Sequence, residues 1–133
     1  LCQIIPIGRF LCNNDFNQGL IMEEVILFAG HPQQGILYVG QVLIESALEA
    51  GWRAACISSD LQMGVMHCTV MLSDQPIQKH PAAALDIGVL LSLPAANYFE
   101  RAVKSGGLLV MNASEIRRPM LRHDADVVLV PTG

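Results

Sequence analysis

The chain carries its clearest structural pattern in EEVILFAGHPQQGILYVGQVLIESALEAG, residues Glu23–Gly51. The apolar run Val25–Ala29 predicts a buried strand that ends at Gly30. The HPQQ segment that follows predicts a tight turn, and Gly35–Ala50 has the spacing of an amphipathic helix. A strand, a glycine-bearing turn and a helix in this order predict the opening unit of a layered α/β domain.

The predicted helix has an apolar side and a polar side. The side chains at helical spacing that should face a core are Ile36, Val39, Leu43, Ala47 and Ala50. The side chains expected to face solvent are Gln41, Glu45 and Glu49. Gly40 lies near the apolar side, where its missing side chain permits a close approach to a sheet, and Gly51 provides a helix stop.

The rest of the chain continues to alternate between strands and helices. Further strands are predicted at Arg53–Ser58, His67–Leu72, Asp86–Leu91, Leu108–Met111 and Asp126–Val130. A loop is predicted over Ser59–Met66, a second helix from about Pro94 to Lys104, and a break at Ser105–Gly107. The expected fold is an α/β domain in which helices flank a mainly parallel sheet, a Rossmann-like three-layer arrangement. The close spacing of the second and third strands predicts one antiparallel neighbour.

The composition favours a folded domain with an aliphatic core. Of 133 residues, 52% are hydrophobic and only 15% are charged, which argues against disorder. The net charge is -4 and no basic run exceeds Arg117-Arg118, so nucleic-acid binding is not expected. No apolar run is long enough to span a bilayer. The low charge leaves two interpretations open: a compact monomer, or a surface partly covered by partner subunits.

The cysteines give no metal-binding pattern. None of Cys2, Cys12, Cys56 and Cys68 forms a C-x-x-C pair, so neither a zinc ribbon nor an iron–sulfur cluster is indicated. Cys56 and Cys68 lie in apolar runs and are predicted to be small buried hydrophobic side chains. This pattern favours a reducing, cytoplasmic compartment, with a structural disulfide as the less favoured alternative.

The two ends of the chain differ from its middle. Residues 1–21 are apolar and then rich in asparagine, and they are predicted to be an N-terminal extension or a non-native addition. The α/β domain is predicted to span residues 22–133. The chain ends directly after the strand Asp126–Val130, where an α/β sheet normally continues into a covering helix. The domain is therefore expected to be incomplete at its C-terminus, with apolar surface exposed there.

The turn after the first strand occupies the position where α/β proteins place ligands. Its sequence GHPQQG, residues 30–35, is neither a G-x-G-x-x-G nor a Walker pattern. Pro32 stands at the second glycine position and has no N–H to offer a phosphate. From these residues alone, a phosphate site and a purely structural turn both remain open, and the structural turn is favoured.

Polar side chains in the second predicted loop form another candidate site. Asp60, Gln62 and His67 cluster there, and a His–Asp pair can serve as acid and base. No nucleophile elbow or second carboxylate accompanies them, so a strand-edge histidine without chemistry is favoured. Either an anion grip or a solvated loop fits the three cations Arg117, Arg118 and Arg122. The residues alone predict an α/β domain without a self-sufficient catalytic site.

A series of segments is informative when their order and spacing are taken together. They are EVILFAG with the following QG (24–30 and 34–35), HCTVMLSDQPI (67–77), DIGVLL (86–91), VKSGGLLVMN (103–112) and DVVLVPT (126–132). This series resembles the gamma subunit of 2-oxoacid:ferredoxin oxidoreductases. The corresponding family features are a glycine-rich start, a strand and turn after an arginine-glycine motif, a central strand, a lysine-x-glycine-glycine strand, and a last strand with its Pro-Ala/Thr step. The resemblance covers roughly residues 22–133.

The resemblance implies a complex that oxidatively decarboxylates a 2-oxoacid such as pyruvate, 2-oxoglutarate, indolepyruvate or a branched-chain oxoacid of the ketoisovalerate type. Coenzyme A would accept the acyl group, and ferredoxin or flavodoxin would accept the electrons. Thiamine diphosphate and iron–sulfur clusters would lie on other subunits or domains of the complex, against whose alpha and beta subunits this chain would assemble. The chain itself would hold no cofactor or metal, would contribute no catalytic residue and would be inactive alone.

The resemblance implies site-facing positions at Gly30, Gln34, Gly35, Gln62, Gly64 and His67. The family's turn is usually G-x-G-G-Q-G, whereas Pro32 and Gln33 replace its two middle glycines here. The family's arginine is absent at Gln62, and His67 stands where an asparagine is common. Because the scaffold matches better than the site, the alternative is a diverged, non-catalytic scaffold or interaction module. An independent nucleotide-binding domain is the least favoured hypothesis.

Overall fold

The computed structural model describes residues 23–77 and 84–131 of the chain. The strands are β1 (Glu23–Gly30), β2 (Arg53–Gln62), β3 (Val65–Ser73), β4 (Leu85–Leu90), β5 (Val103–Asn112) and β6 (Asp126–Val130). The helices are α1 (Ile36–Glu49) and α2 (Leu93–Phe99), with 3₁₀ turns at Pro32–Gln34 and Glu100–Ala102. The predicted extension 1–21 lies outside the described residues.

All six strands belong to one mixed sheet with the order β2-β3-β1-β4-β5-β6. The pairs β1–β4, β4–β5 and β5–β6 are parallel. Strand β3 runs antiparallel to both of its neighbours, β1 and β2. The predicted α/β class and the predicted antiparallel neighbour are both confirmed.

The sheet has a helix on each face, and successive residues of β1 explain why. Ile26 and Phe28 point into a cluster that includes Ile36 and Ala47 of α1. Leu27 and Ala29 point into a second cluster, whose helical members are Ala95 and Ala96 of α2. Because both faces are covered, the strand reads as a continuous apolar run rather than an alternating one. We call these surfaces the α1 face and the α2 face.

Helix α1 packs closely on the sheet at Gly40, as predicted. A Cβ atom at Gly40 would lie 2.8 Å from the Sγ atom of Cys68 on β3. The prediction that Val39 and Ala50 face the core is wrong, since Val39 is 39% exposed and Ala50 is exposed. The helix touches the sheet mainly through Ile36, Gly40 and Ala47, a narrower stripe than the apolar composition suggests.

The predicted loop Ser59–Met66 is instead the end of a long hairpin. Strands β2 and β3 pair as far as Gln62 and Val65, and a two-residue turn joins them. Met63 and Gly64 occupy this turn with φ values of 52° and 79°. Positive φ at both central positions is the geometry that matches the twist of the two flanking strands. The end of β2 was predicted as a loop because its residues are polar and exposed, as is common in an edge strand.

The second helix is shorter than predicted, and the glycine pair after it is not a break. Helix α2 ends at Phe99, and β5 begins at Val103, so that Gly106 and Gly107 lie within the strand. A Cβ atom at Gly107 would lie 2.7 Å from the carbonyl oxygen of Asp86, so a side chain there would meet backbone. Gly106 has φ of 81°, a conformation in which side chains are strained.

Within the described ranges, no helix is long and apolar enough to cross a membrane.

Candidate functional site

One end of the sheet gathers the chain's turns and polar caps. Strands β1, β4 and β5 run parallel and therefore end at the same side, which we call the carboxyl edge. The β2–β3 hairpin reaches this side too, because Gly30 at the end of β1 pairs with Met66, and the hairpin tip lies beyond Met66. Ligands of open α/β sheets usually bind at this edge.

The turn after β1 is closed by the side chain of Gln34. Its Oε1 atom accepts a hydrogen bond from the His31 N–H at 2.6 Å. Its Nε2 atom donates to the Leu91 carbonyl, just after β4, at 3.2 Å. A Cβ atom at Gly30 would lie only 2.5 Å from Gln34 Oε1, so only a glycine at this position leaves room for the side-chain amide of Gln34. Gly35 then turns the chain into α1 with φ of 69°.

These contacts favour the structural interpretation of the turn. The N–H groups of His31 and Gln34 already donate within it, the latter to the His31 carbonyl at 2.9 Å. Pro32 has no N–H. Three positions of the turn therefore cannot offer the backbone donors that a phosphate cradle uses.

Asn112 completes this arrangement and was not among the predicted site residues. Its Nδ2 atom donates to the same Leu91 carbonyl at 3.0 Å, and its Oδ1 atom accepts from the Ser114 N–H at 3.0 Å. The side chain is 1% exposed. One carbonyl thus receives two side-chain amides, which joins the ends of β1, β4 and β5. The sequence signal for this role is a polar residue directly after the apolar run Leu108–Met111.

The β2–β3 hairpin forms the second half of the carboxyl edge. Gln62 accepts a hydrogen bond from the Tyr98 hydroxyl of α2 at 3.2 Å. His67 packs edge-on against the Phe99 ring, with centroids 5.2 Å apart, and its Nδ1 atom is buried without a hydrogen-bond partner. Asp60 lies directly opposite His67 in the strand register. The residues predicted to cluster are therefore adjacent, and they face α2.

The predicted site positions are brought to one edge in two groups. Gly30, Gln34 and Gly35 build the turn after β1. Gln62, Gly64 and His67 belong to the hairpin, with Gly64 in its turn. Among residues 23–77 and 84–131, no group of three or more His, Cys, Asp or Glu side chains is placed to hold a metal ion.

The cations of the polar connection between β5 and β6 are engaged within the chain. Arg118 forms an ion pair with the buried carboxylate of Glu100 at 2.8 Å. Arg122 pairs with Asp124 at 2.8 Å and also donates to the carbonyl of Val103. The hydrogen bond from Arg122 lowers the pKa of Asp124 to about 2. Arg118 and Arg122 thus hold the connection against the end of α2, whereas Arg117 is an exposed loop side chain that donates to the Ser114 carbonyl at 3.2 Å.

A second charged group lies at the opposite end of the sheet, the amino edge. Asp86 accepts from the Val25 N–H at 2.8 Å and forms an ion pair with Lys104. Glu24 is only 8% exposed, and its Oε2 atom has no hydrogen-bond partner. Burial, and then the charge of Asp86, raise the pKa of Glu24 to about 7, although Lys104 opposes this shift. This group buttresses the starts of β1, β4 and β5.

Comparison with solved structures finds the same fold in redox enzymes. The gamma subunit of a keto/oxoacid ferredoxin oxidoreductase from Geobacter sulfurreducens PCA matches with a TM-score of 0.72 and 21% identity, over 81% of this chain and 60% of that one. A 2-oxoglutarate:ferredoxin oxidoreductase from Magnetococcus marinus matches with a TM-score of 0.73 and 16% identity, over 82% of this chain and 20% of that one. The pyruvate oxidoreductase subunit PORC from Thermotoga maritima matches with a TM-score of 0.52 and 20% identity, over 71% and 52% of the two chains.

The chain thus spans about three fifths or less of each of these structural relatives. No curated protein sequence matches it. Its sequence does match the family described as pyruvate ferredoxin/flavodoxin oxidoreductase, over residues 25–132. This range includes both halves of the carboxyl edge and all six strands except the first two residues of β1. The resemblance predicted from the sequence is confirmed: the chain belongs to the pyruvate ferredoxin/flavodoxin oxidoreductase family.

Proposed function

We propose that this chain is the gamma-type subunit or domain of a 2-oxoacid:acceptor oxidoreductase complex and is inactive by itself. The observation that carries the proposal is the family match over residues 25–132, nearly the whole of the described chain. The complex would convert a 2-oxoacid and coenzyme A to an acyl-CoA and pass the electrons to ferredoxin or flavodoxin. The enzyme from Magnetococcus marinus contains bound 2-oxoglutarate, coenzyme A and succinyl-CoA, which supports this class of reaction.

The iron–sulfur clusters of that reaction do not fit the residues described here. An iron–sulfur cluster is held by several cysteine thiolates, usually four. The described part of the chain offers Cys56 and Cys68, with no third ligand grouped beside them. The clusters are therefore assigned to the alpha and beta subunits. The family resemblance implies the same place for thiamine diphosphate, and this chain would contribute surface and stability. The free thiols favour a reducing, cytoplasmic location.

The carboxyl edge is the surface we assign to those partners. Met63 at the hairpin tip is 90% exposed, and Leu61 and Tyr98 beside it are about half exposed. Exposed apolar side chains with polar groups at their rim are typical of a protein interface. The turn after β1 is stiffened by Gln34, so the edge would bind with little loss of conformational freedom.

The experiment is co-purification of this chain with alpha- and beta-type subunits from the same organism. We expect Met63→Asp to weaken the complex at least about 10-fold, since it places a charge in an apolar contact. Leu48→Asp is the matched control, because Leu48 is also exposed but lies near the amino edge, at the far end of α1. If the unchanged chain does not bind the partners, the subunit proposal fails. If both variants bind like the unchanged chain, the assignment to the carboxyl edge fails.

The second candidate function is a diverged, non-catalytic scaffold of the same fold. The observation in its favour is that Pro32, Gln33 and Gln62 replace the residues usual in the family, and that Gln62 instead bonds to Tyr98. Restoring the family residues by Pro32→Gly, Gln33→Gly and Gln62→Arg separates the two hypotheses. A gain in 2-oxoacid-dependent activity of the complex would support a diverged but active site, and unchanged activity would support the scaffold.

A further inference from the structure

Two free thiols face each other on the α1 face. The Sγ atoms of Cys56 on β2 and Cys68 on β3 are 3.5 Å apart. Cys56 is exposed, whereas Cys68 is 3% exposed. The sequence prediction that Cys56 is buried is therefore wrong. The outer thiol is accessible to a reagent, whereas the inner thiol is almost completely buried.

The strand geometry around the pair allows the sulfurs to approach further. The register between β2 and β3 shifts between Cys56 and Ser58, so β2 is bulged at this point. A bulged edge strand bends more easily than a regular central one. The Cys56 thiol also lies 3.4 Å from the Ser58 carbonyl, a weak contact that breaks at little cost. At 3.5 Å the two sulfurs are about 1.5 Å farther apart than in a disulfide, so the bond requires a modest approach of the two side chains.

We propose that Cys56 and Cys68 form a reversible dithiol/disulfide site that low-molecular-weight disulfides oxidise by thiol–disulfide exchange. The inference is independent of the proposed subunit role, because it rests on the two strands alone. It assigns the outer thiol as the attacking group and the inner thiol as the resolving group.

The exchange takes place in two steps. The Cys56 thiolate attacks one sulfur of the oxidant disulfide, a mixed disulfide forms, and one small thiol leaves with its electron pair and takes up a proton. Cys68 then gives up its proton and attacks the Cys56 sulfur, which expels the second small thiol. Two protein thiols are oxidised, and one small disulfide is reduced to two thiols.

Burial, and then the hydrogen bond with Cys56, raise the pKa of Cys68 to about 12. Cys68 therefore reacts poorly by itself, which fits the order of the two steps.

The disulfide would change the contact between α1 and the sheet. In the reduced protein the Cys68 sulfur fills the space left by the missing side chain of Gly40. Drawing this sulfur toward Cys56 moves it away from Gly40 and pins the edge strand β2 to β3. Reduction returns the sulfur to the helix, so the change is reversible.

The test uses the full chain with Cys2→Ser and Cys12→Ser, which leaves Cys56 and Cys68 as its only cysteines. The folded protein is incubated with oxidised glutathione, quenched with acid and examined by mass spectrometry. We expect a glutathione adduct that rises and then falls, followed by a product about 2 Da lighter than the starting protein, which dithiothreitol reverses. A stable adduct without the lighter product, or no reaction, would overturn the proposal.

Two further measurements separate a built site from a chance proximity. With Cys56→Ser, which alters an exposed position, we expect the lighter product to be lost and Cys68 to stay unmodified. In concentrated urea, the equilibrium yield relative to glutathione should fall at least about 10-fold, because the unfolded chain no longer holds the sulfurs together. An equal yield in urea would show that the folded geometry contributes nothing.

Discussion

Gln34 donates a hydrogen bond from Nε2 to the carbonyl oxygen of Leu91 over 3.2 Å, and so fastens the turn after β1 to the end of β4. Asn112 donates to the same oxygen from the end of β5. Three parallel strands are thus joined at their carboxyl ends through one carbonyl group. The six residues GHPQQG retain a fixed shape although two of the family's usual glycines are missing.

Replacing Gln34 should therefore loosen the carboxyl edge. Gln34→Ala removes the hydrogen bonds to the His31 N–H and the Leu91 carbonyl, and we expect a loss of about 1–2 kcal/mol in the free energy of unfolding. Chemical denaturation measures this loss. Gln33→Ala is the matched control, because Gln33 is exposed in the same turn and should change stability by less than about 0.5 kcal/mol. Equal losses in the two variants would contradict the role given to Gln34.

The second glycine of the pair in β5 should tolerate no side chain. Gly107→Ala places a Cβ atom 2.7 Å from the Asp86 carbonyl oxygen and 3.0 Å from that of Lys104. Backbone must move, so we expect a loss of at least about 2 kcal/mol in thermal or chemical unfolding. A Cβ atom at Gly106 would contact no other atom, so Gly106→Ala should lower the free energy of unfolding by only about 1 kcal/mol, the cost of its positive φ. A smaller loss of unfolding free energy for Gly107→Ala than for Gly106→Ala would contradict the close approach of β4 and β5 at Gly107.

Glu24 should make stability fall as the pH rises from about 4.5 to about 7. In the unfolded chain this carboxyl ionises near its ordinary value of 4.5, but in the folded chain its pKa is about 7. Between these values the folded state binds more protons, so raising the pH favours unfolding, and above about 7 the penalty is complete. Allowing for solvent screening, we expect Glu24→Gln to increase the free energy of unfolding by about 2 kcal/mol at neutral pH.

Denaturation at several pH values gives the comparison for Glu24→Gln. The gain should vanish below about pH 4.5, where the carboxyl is protonated in both states. Glu49→Gln, which removes an exposed carboxylate at the end of α1, serves as the matched control. A gain that is the same at every pH would assign the effect to packing rather than to ionisation.

Removing Arg118 should destabilise the chain more than removing its neighbour. Arg118→Ala leaves the carboxylate of Glu100, 1% exposed, without its ion-pair partner. A buried charge that loses its partner costs about 3 kcal/mol. Arg117→Ala removes an exposed side chain that bonds to the Ser114 carbonyl, and should cost less than about 0.5 kcal/mol. Similar unfolding midpoints for the two variants would mean that the Arg118–Glu100 pair does not anchor the connection.

The buried elements of the fold were predictable because their residue types indicate that they lie in the interior. Val25–Ala29 is apolar throughout, which requires cover on both sides, and the structure supplies a helix on each face. Gly40 interrupts an apolar helix side, and the sheet approaches the helix closely there. Such residues have one physical explanation each, so the α/β class, the strand order along the chain and the close helix contact follow from them.

The exposed elements were not predictable in the same way. Ser58–Gln62 is polar because β2 is an edge strand, and a polar run predicts a loop when the strand pairing is unknown. Gln34 and Asn112 bond to the carbonyl of Leu91, a residue distant from both in the chain. The proximity of Cys56 to Cys68 likewise depends on a shift in the register between β2 and β3, which no local sequence pattern indicates. Contacts between distant segments decide each of these features.

The central claim, a gamma-type subunit that completes a 2-oxoacid oxidoreductase, has one direct test. The alpha- and beta-type subunits of the same organism are purified with and without this chain, and reduction of ferredoxin is followed with coenzyme A and a panel of 2-oxoacids. We predict 2-oxoacid-dependent reduction only when the chain is present, and none with the chain alone. An equal rate in its absence would contradict the claim.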